Sequence, residues 1–323
     1  MSYPKTRLRR LRYNKAIRDL VDDTNLSTTD LIYPIFVCEG KNIKKEIKSM
    51  PGQYQLSIDN VLKTCDELVS KNINSIILFG IPSKKDEEGL VAIDKNGIVQ
   101  RAIKEIKKNN KNILVIVDVC NCQYTTHGHC GTIKDGDVDN DSTLKNLGSQ
   151  ALSLVNAGAD VIAPSDMMDG RVKYIRDILD KSNYHKIPIF SYSIKYASSF
   201  YGPFRNATDI STNFTDRKTY QMSFKSSNEA LREAEMDIKE GVDVIIIKPA
   251  LSYLDILYKI KSKYNIPVIA YNVSGEYSML KAASEKKWIK SKETIIEILT
   301  SMKRAGANAI ITYHALEVSD YLN

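Results

Sequence analysis

Eight short apolar runs, spread along almost the whole chain, constrain the fold more than any other feature. They are "LIYPIFV" (31–37), "SIILFG" (75–80), "ILVIVDV" (113–119), "DVIAPS" (160–165), "IPIFSYS" (187–193), "DVIIIKP" (243–249), "PVIAYNV" (267–273) and "AIITYH" (309–314). Most are continuously apolar rather than alternating, the pattern of parallel strands covered on both faces. Helical periodicity fills the gaps, as in "STLKNLGSQALSLVNAG", "NEALREAEMDIKEG" and "TIIEILTSMKRAG". Three junctions repeat: "AGADVIAPS", "EGVDVIIIKP" and "AGANAIITYH" each read as helix end, glycine cap, then strand. Eight such units in 323 residues fit an α/β fold of the (β/α)8, or TIM-barrel, type. The alternative is an open doubly wound sheet. It usually carries a glycine-rich phosphate loop after an early strand, and neither GxGxxG nor a Walker motif is present.

The barrel is assigned to residues 31–323, preceded by an N-terminal arm of residues 1–30. One connection is far too long for a simple loop: "IKYASSFYGPFRNATDISTNFTDRKTYQMSFKSS" separates the fifth strand from the helix near Asn228. Its aromatic residues, with Arg205, Arg217 and Lys218, mark a lid at about 196–227 over an anionic ligand. The net charge of +7 equals the seven cations Lys5, Arg7, Arg9, Arg10, Arg12, Lys15 and Arg18, which occur with no acid among them. The body is thus neutral overall, which argues against nucleic acid as its partner; the arm alone suits either nucleic acid or a neighbouring subunit. No apolar run reaches the roughly 18 residues that span a membrane, and the N-terminus lacks a secretory h-region. The Arg-rich start faintly resembles an organelle transit segment, but a cytoplasmic enzyme is the expectation.

Chemistry in such barrels sits at the C-terminal ends of the strands. Those ends carry Asp118, Ser165 with Asp166, Lys195, Lys248, Ser274, and Tyr313 with His314. Lys248 shares a strand face with Val244 and Ile246. If that face is the interior, its ammonium is desolvated and its pKa falls. Lys195 comes from the adjacent strand end, about 4.8 Å away, and repulsion between the two ammonium groups lowers the pKa further. A neutral amine at neutral pH is what a Schiff base with a ketone or aldehyde requires.

The third strand runs into "DVCNCQYTTHGHCG" (118–131). Cys120, Cys122 and Cys130 suit thiolate ligation of zinc, with a spacing that belongs to no zinc finger, ribbon or knuckle. His127 or His129 could complete a structural site; three thiolates with an open fourth position would make a catalytic one. Cys38 and Cys65 lie in apolar patterns and read as buried side chains.

Together, "DVCNCQYTTHGHCG", "APSDMMDGR", "SYSIKYASSFYGPFR", "DRKTYQM", "IIIKPALSYLDI" and "VSGEYSM" resemble the porphobilinogen synthase (5-aminolaevulinate dehydratase) family, in order and from about Arg7 to near the C-terminus. The resemblance implies a lyase of haem biosynthesis that joins two 5-aminolaevulinate molecules into porphobilinogen with loss of two waters. It implies Schiff bases on Lys248 for the first substrate and on Lys195 for the second. Arg205, Arg217 and Gln221 would hold the second carboxylate, Ser274 and Tyr313 the first. Asp118 and Ser165 would line the centre, with Tyr192 beside the lysines. Cys120, Cys122 and Cys130 match the zinc ligands of the cysteine-rich branch, which demotes the histidines to supporting positions. The resemblance further implies a homo-octamer with an arm that wraps a neighbour, and a regulatory magnesium on Glu233. His314 departs from the aromatic residue usual there. Two rivals stand beside this reading: another Schiff-base aldolase on the same barrel, with one essential lysine and a phosphate site, and a zinc-stabilised nucleic-acid-binding protein.

Overall fold

The computed structural model describes residues 5–210 and 217–322; residues 1–4 of the arm, 211–216 of the lid and Asn323 lie outside the described residues. The eight apolar runs form β1 (Leu31–Cys38), β2 (Ser75–Ile81), β3 (Leu114–Val119), β4 (Val161–Pro164), β5 (Phe190–Lys195), β6 (Val244–Lys248), β7 (Val268–Asn272) and β8 (Ala309–Thr312). Each pairs in parallel with its chain neighbours, and β8 pairs with β1. The remaining seam, between β4 and β5, is closed by a single parallel bridge from Ile162 to Ile189, where the Ile162 amide donates to the Pro188 carbonyl at 3.2 Å. The result is the (β/α)8 barrel expected from the strand count.

Two cores explain the unbroken apolar runs. Ile32, Ile77, Ile116, Val161, Val244, Ile246, Ile269 and Ile311 fill the interior. Their chain neighbours Leu31, Ile76, Val115, Ile162, Ile245, Val268 and Ile310 pack outward against the helices. Period-two geometry therefore buries nearly every strand residue past the first, one face in each core. The outer layer comprises α1 (Ile58–Ser70), α2 (Ile98–Asn109), α3 (Asn140–Asn156), α4 (Arg171–Lys181), α5 (Asn228–Glu240), α6 (Leu254–Lys263), α7 (Ser274–Glu285), α8 (Ser291–Arg304) and α9 (Ala315–Leu322).

The repeated junctions hold a device beyond the glycine cap. Gly158, Gly241 and Gly306 all have positive φ (106°, 97° and 113°), the left-handed conformation that ends a helix without a Cβ penalty. Two residues later, Asp160, Asp243 and Asn308 each accept the backbone amide at the start of the preceding strand: Val115 at 2.8 Å, Ile189 at 2.8 Å and Val268 at 3.0 Å. The Gly-x-Asp/Asn repeat thus ends a helix and ties its strand to the one before.

The fifth strand differs from the expectation of 187–193. It is displaced toward Lys195, and its register against β6 slips by one residue: Ile245 faces Ser191 but Ile247 faces Ile194. Tyr192 and Ser193 together stand opposite Ile246, a bulge of a kind rare between parallel strands and enriched beside functional sites. Its frame is a buried ion pair. Arg171, at the start of α4, meets Asp237 of α5 at 3.0 Å and donates to the Ser191 hydroxyl at 3.1 Å and the Tyr192 carbonyl at 3.4 Å.

The arm contributes little to the body. Its Lys15–Val21 helix, capped by Asn14, buries no residue, and Leu8, Leu11, Tyr13 and Leu20 are exposed. The lid carries its own structure, a 3-10 turn at Ser199–Tyr201 followed by a short helix at Gly202–Ala207. A small antiparallel pair, Lys44–Glu46 with Tyr54–Leu56, extends the end of β1. No helix among the described residues is long and apolar enough to cross a membrane.

Candidate active site

The bulge decides where the first pair of groups lies. Lys195 and Lys248 are register partners across β5 and β6, and both line an inner chamber at the C-terminal mouth of the barrel. Were the same residues paired without the bulge, alternation from Ser191 would turn Lys195 toward the helices, where its neighbour Ile194 packs. Lys195 Nζ instead donates to the Ser165 carbonyl across the β4–β5 seam.

Lys248 stands in an aromatic box. Its Nζ lies 4.5 Å from the Tyr271 ring centroid, 4.9 Å from Phe204, 5.2 Å from Tyr192 and 5.3 Å from Tyr201. The ring faces favour the cation, but desolvation wins. Burial, then the charge of Lys195, brings the Lys248 amine down to about 7 against the opposing pull of Asp118. Burial likewise pushes the Asp118 carboxyl up to about 6, with Lys248, the Ser165 hydroxyl and Lys195 pulling the other way. Asp118 Oδ2 accepts from Gln123 at 3.2 Å, while the buried Oδ1 has no protein partner.

The cysteine loop forms the opposite wall. Among the described residues, one group of potential ligands converges closely enough for an ion: the sulfurs of Cys120, Cys122 and Cys130, all buried and within 4.8 Å of one another. Cys120 and Cys122 Sγ are 3.3 Å apart. Hydrogen bonds from both thiols, aided by the Arg217 guanidinium, hold the Cys130 thiol well below its usual range. Three soft donors, one already biased to thiolate, fit zinc better than a hard cation. Neither histidine belongs to the group. His127 accepts the His129 amide on Nδ1 at 3.1 Å, which leaves Nε2 to donate to the Glu87 carbonyl at 2.9 Å. His129 Nδ1 lies 3.1 Å from the Tyr220 hydroxyl.

Arg205 and Arg217 separate the inner chamber from an outer cleft of about 680 Å³ and line both. Gln221 faces the cleft beside them, with its buried Nε2 lacking a protein partner. The inner chamber is about 20 Å³, room for roughly one water. The described parts of the lid, through Tyr201, Phe204, Arg205 and Arg217, therefore close over the lysines, and a substrate of several heavy atoms fits the chamber only if they move. Its first limb is pinned from three sides. Ser274 Oγ accepts the Phe204 amide at 3.0 Å and donates to the Phe200 carbonyl at 3.2 Å. Gln55 donates to the Ala207 carbonyl at 2.9 Å, and Lys85 to the Asp209 carbonyl at 2.8 Å.

The structure thus gathers Asp118, Ser165, Lys195, Lys248, Cys122, Arg205 and Arg217 around one chamber. Tyr192 lies under Lys248. Ser274 spends its hydroxyl on the lid backbone, and Tyr313 stacks on Phe36 with its hydroxyl 3.1 Å from that of Tyr271. Glu233 lies elsewhere, in an acidic cleft between α4 and α5 with Asp169 and Asp237, where burial pushes its carboxyl up to about 7. His314 is buried with its ring 4.4 Å from that of Tyr277 and its Nδ1 3.4 Å from Glu317, a packing role away from the chamber. Sequence reasoning missed Phe204, Tyr201 and Tyr271 as walls of the box. Tyr271 was recoverable, because it shares the interior face of its strand with Ile269.

The family model described as delta-aminolevulinic acid dehydratase matches residues 5–321. The delta-aminolevulinic acid dehydratase of Bacillus subtilis (strain 168) is 52% identical over 322 residues, covering 100% of this chain and 99% of that protein. That of Methanothermus sociabilis is 54% identical over 318 residues, covering 98% of this chain and 99% of its own. Among solved structures, the delta-aminolevulinic acid dehydratase (porphobilinogen synthase) of Toxoplasma gondii ME49, in complex with the reaction product porphobilinogen, superposes with a TM-score of 0.96 at 44% identity, covering 98% of this chain and 91% of that one. A family match over nearly every residue, and relatives more than half identical along their full lengths, establish that the chain belongs to the delta-aminolevulinic acid dehydratase family.

Proposed function

We propose that this enzyme makes porphobilinogen by holding two 5-aminolaevulinate molecules as Schiff bases, one on Lys248 and one on Lys195, beside a thiolate-bound zinc ion. The family reaction is a hydro-lyase step: two 5-aminolaevulinate molecules become one porphobilinogen and two waters. The observation that carries the reading is the cross-strand pairing of the two lysines, with Lys248 brought to about 7 by burial. At neutral pH a large share of Lys248 is then neutral and nucleophilic. Its attack on the substrate ketone and loss of water give an imine, an electron sink that activates the carbonyl carbon and acidifies its neighbour.

Each substrate carries a carboxylate. In this reading Arg205, Arg217 and Gln221 hold that of the second substrate, charge-assisted and from the lid. Ser274 and Tyr313 hold that of the first once the lid shifts and releases the Ser274 hydroxyl. Ser165 and Tyr192 line the centre. Asp118, buried near both amines with an unpartnered Oδ1, holds a proton within the chamber. Cys120, Cys122 and Cys130 would hold zinc, which supplies Lewis acidity beside the second substrate. Fixing both molecules in register removes much of the entropic cost of condensing them.

The same reading gives Glu233 a magnesium ion in its acidic cleft, gives the exposed arm a neighbouring subunit in a homo-octamer, and places the enzyme in the cytoplasm. Magnesium titration of turnover, and sedimentation after removal of residues 1–18, test the first two; an unchanged octamer would refute the arm's role. The central test is borohydride reduction with 5-aminolaevulinate followed by peptide mapping. Adducts are expected at Lys248 and Lys195, and their absence from both would sink the two-lysine scheme. A single modified lysine would favour the aldolase alternative.

A further inference from the structure

The second limb of the lid is fastened to the cysteine loop, and the fastening passes through Tyr220 and Thr219, which the chemistry above does not use, as well as through Arg217. Arg217 to Gln221 form one tight turn, closed by the Gln221 amide on the Arg217 carbonyl at 2.9 Å. Both proposed carboxylate anchors of this limb lie on that turn, and Tyr220 lies between them. Its hydroxyl is 3.1 Å from His129 Nδ1 and accepts the backbone amide of Cys130 at 3.4 Å. Its ring packs against the cluster formed by Cys120, Cys122, Cys130 and Ile210 and meets His129 edge-on at 6.1 Å. Two further ties run in parallel. Arg217 donates to the Gly128 carbonyl at 2.6 Å, with its other nitrogen 3.7 Å from Cys130 Sγ, and Thr219 donates to Asp137 at 2.9 Å. By contrast, the first limb is fastened to Ser274, Gln55 and Lys85.

We propose that Tyr220 is a positioning residue that joins the metal-binding loop and the anion-anchoring turn into one unit, so that loading the metal and binding the second carboxylate assist each other. A hydroxyl that fixes the backbone of Cys130 sets where its sulfur points, and the same hydroxyl sets where Arg217 and Gln221 stand. Two sites tied to one rigid element are linked reciprocally: each ligand strengthens the other by the same factor. Groups that orient metal ligands typically carry about 10- to 100-fold in affinity. The inference rests on the zinc reading of the cysteine loop.

The test uses the full-length enzyme and Tyr220→Phe, which removes the hydroxyl and keeps the ring. Zinc affinity is measured by competition with a chromophoric chelator, with and without 4-oxopentanoate, the substrate without its amine, which cannot condense. In the unaltered enzyme 4-oxopentanoate is expected to tighten zinc severalfold. In Tyr220→Phe zinc should bind about tenfold more weakly, the tightening should vanish, and KM should rise about tenfold with kcat at saturation nearly unchanged. Unchanged zinc affinity, KM and linkage overturn the proposal, as does a fall in kcat and stability with KM intact, the mark of a merely structural role. Should Tyr220→Phe lose its native circular dichroism, Thr219→Val, at an exposed bond, takes its place. A severalfold rise in KM and weakened linkage support the proposal there, and no change in either overturns it. Failure of the unaltered enzyme to bind zinc at all would refute the zinc reading itself, a result visible before any variant is made.

Discussion

The two halves of the chamber are built in opposite ways. The half around Lys248 stands on β6, with aromatic walls from Tyr192 of β5, Tyr271 of β7, and Tyr201 and Phe204 of the lid's pinned first limb, and its burial makes the amine nearly neutral. The half facing it combines Lys195, three sulfurs and two arginines, and most of these groups sit on the cysteine loop and the lid. Strand-mounted groups are held by the barrel cores at all times. Loop-mounted groups come into place only when their loops dock. The comparison teaches an order of assembly: the two lysines, Tyr192 and Tyr271 are fixed by the barrel before any ligand arrives, while Tyr201, Phe204, the arginines and the cysteine loop complete the chamber as their loops dock.

The severest way to break the comparison is to remove an amine. Lys248→Arg and Lys195→Arg should each cut turnover on the order of 10⁴-fold or more. The halves differ in what survives: Lys195→Arg should still give a borohydride adduct at Lys248, and a loss of both adducts would show that the Lys248 half is not prebuilt. Chelation comes next, with turnover expected to fall about 10³-fold while circular dichroism stays native. Loss of the fold would instead assign the cysteines a structural zinc. Arg171→Met should leave Asp237 buried without its partner and cost about 3–5 kcal/mol in denaturant unfolding. Near the midpoint of that loss the Lys195 adduct should fail first, since the bulge beneath it loses its frame.

Smaller effects sharpen the picture. Imine formation at Lys248 in a single turnover should rise about tenfold per pH unit below 7 and level off above it, because the protonated amine cannot attack. Phe204→Ala admits water to the box. It should move that midpoint upward by about one unit, since desolvation is the largest cause of the depressed value. A downward shift would mean that ring attraction for the cation, not burial, sets the amine. Ser274→Ala removes the acceptor of the Phe204 amide and should raise KM about fivefold, from roughly 1 kcal/mol of lost lid anchoring.

Much of this was legible in the sequence because burial on two faces leaves a continuous apolar signature. Most of the eight strands showed it, and the polar residues at or just past their C-terminal ends named Asp118, Lys195 and Lys248. The cysteines were legible because three thiols in so short a loop have few other uses. The lid was legible as a length, but not its inner turn and helix, which depend on contacts with Ser274, Gln55 and Lys85 from distant parts of the chain. The box around Lys248 escaped notice for the same reason: its walls come from β5, β7 and the lid, and no local pattern relates them. The Gly-x-Asp/Asn junctions were half legible. Their glycines announced a helix end, while the tie made by the acidic or amide side chain needs the neighbouring strand to be seen.

The bulge in β5 means that this enzyme's chemistry depends on where one surplus residue is absorbed. Every other position along the strand answers to one core or the other, and a single surplus residue switches which core the remainder of the strand addresses. Deleting Ser193 would change no charge and no functional side chain. It would leave Ser191, Tyr192, Ile194 and Lys195 opposite Ile245, Ile246, Ile247 and Lys248 in unbroken register, so Lys195 would stay in the chamber; straightening the bulge with Ser193 kept would instead turn Lys195 toward the helices and present Ile194 in its place. In a lineage of such chains, side chains around the chamber can drift by substitution and this strand can lose its surplus residue, but it cannot keep that residue and lose the bulge.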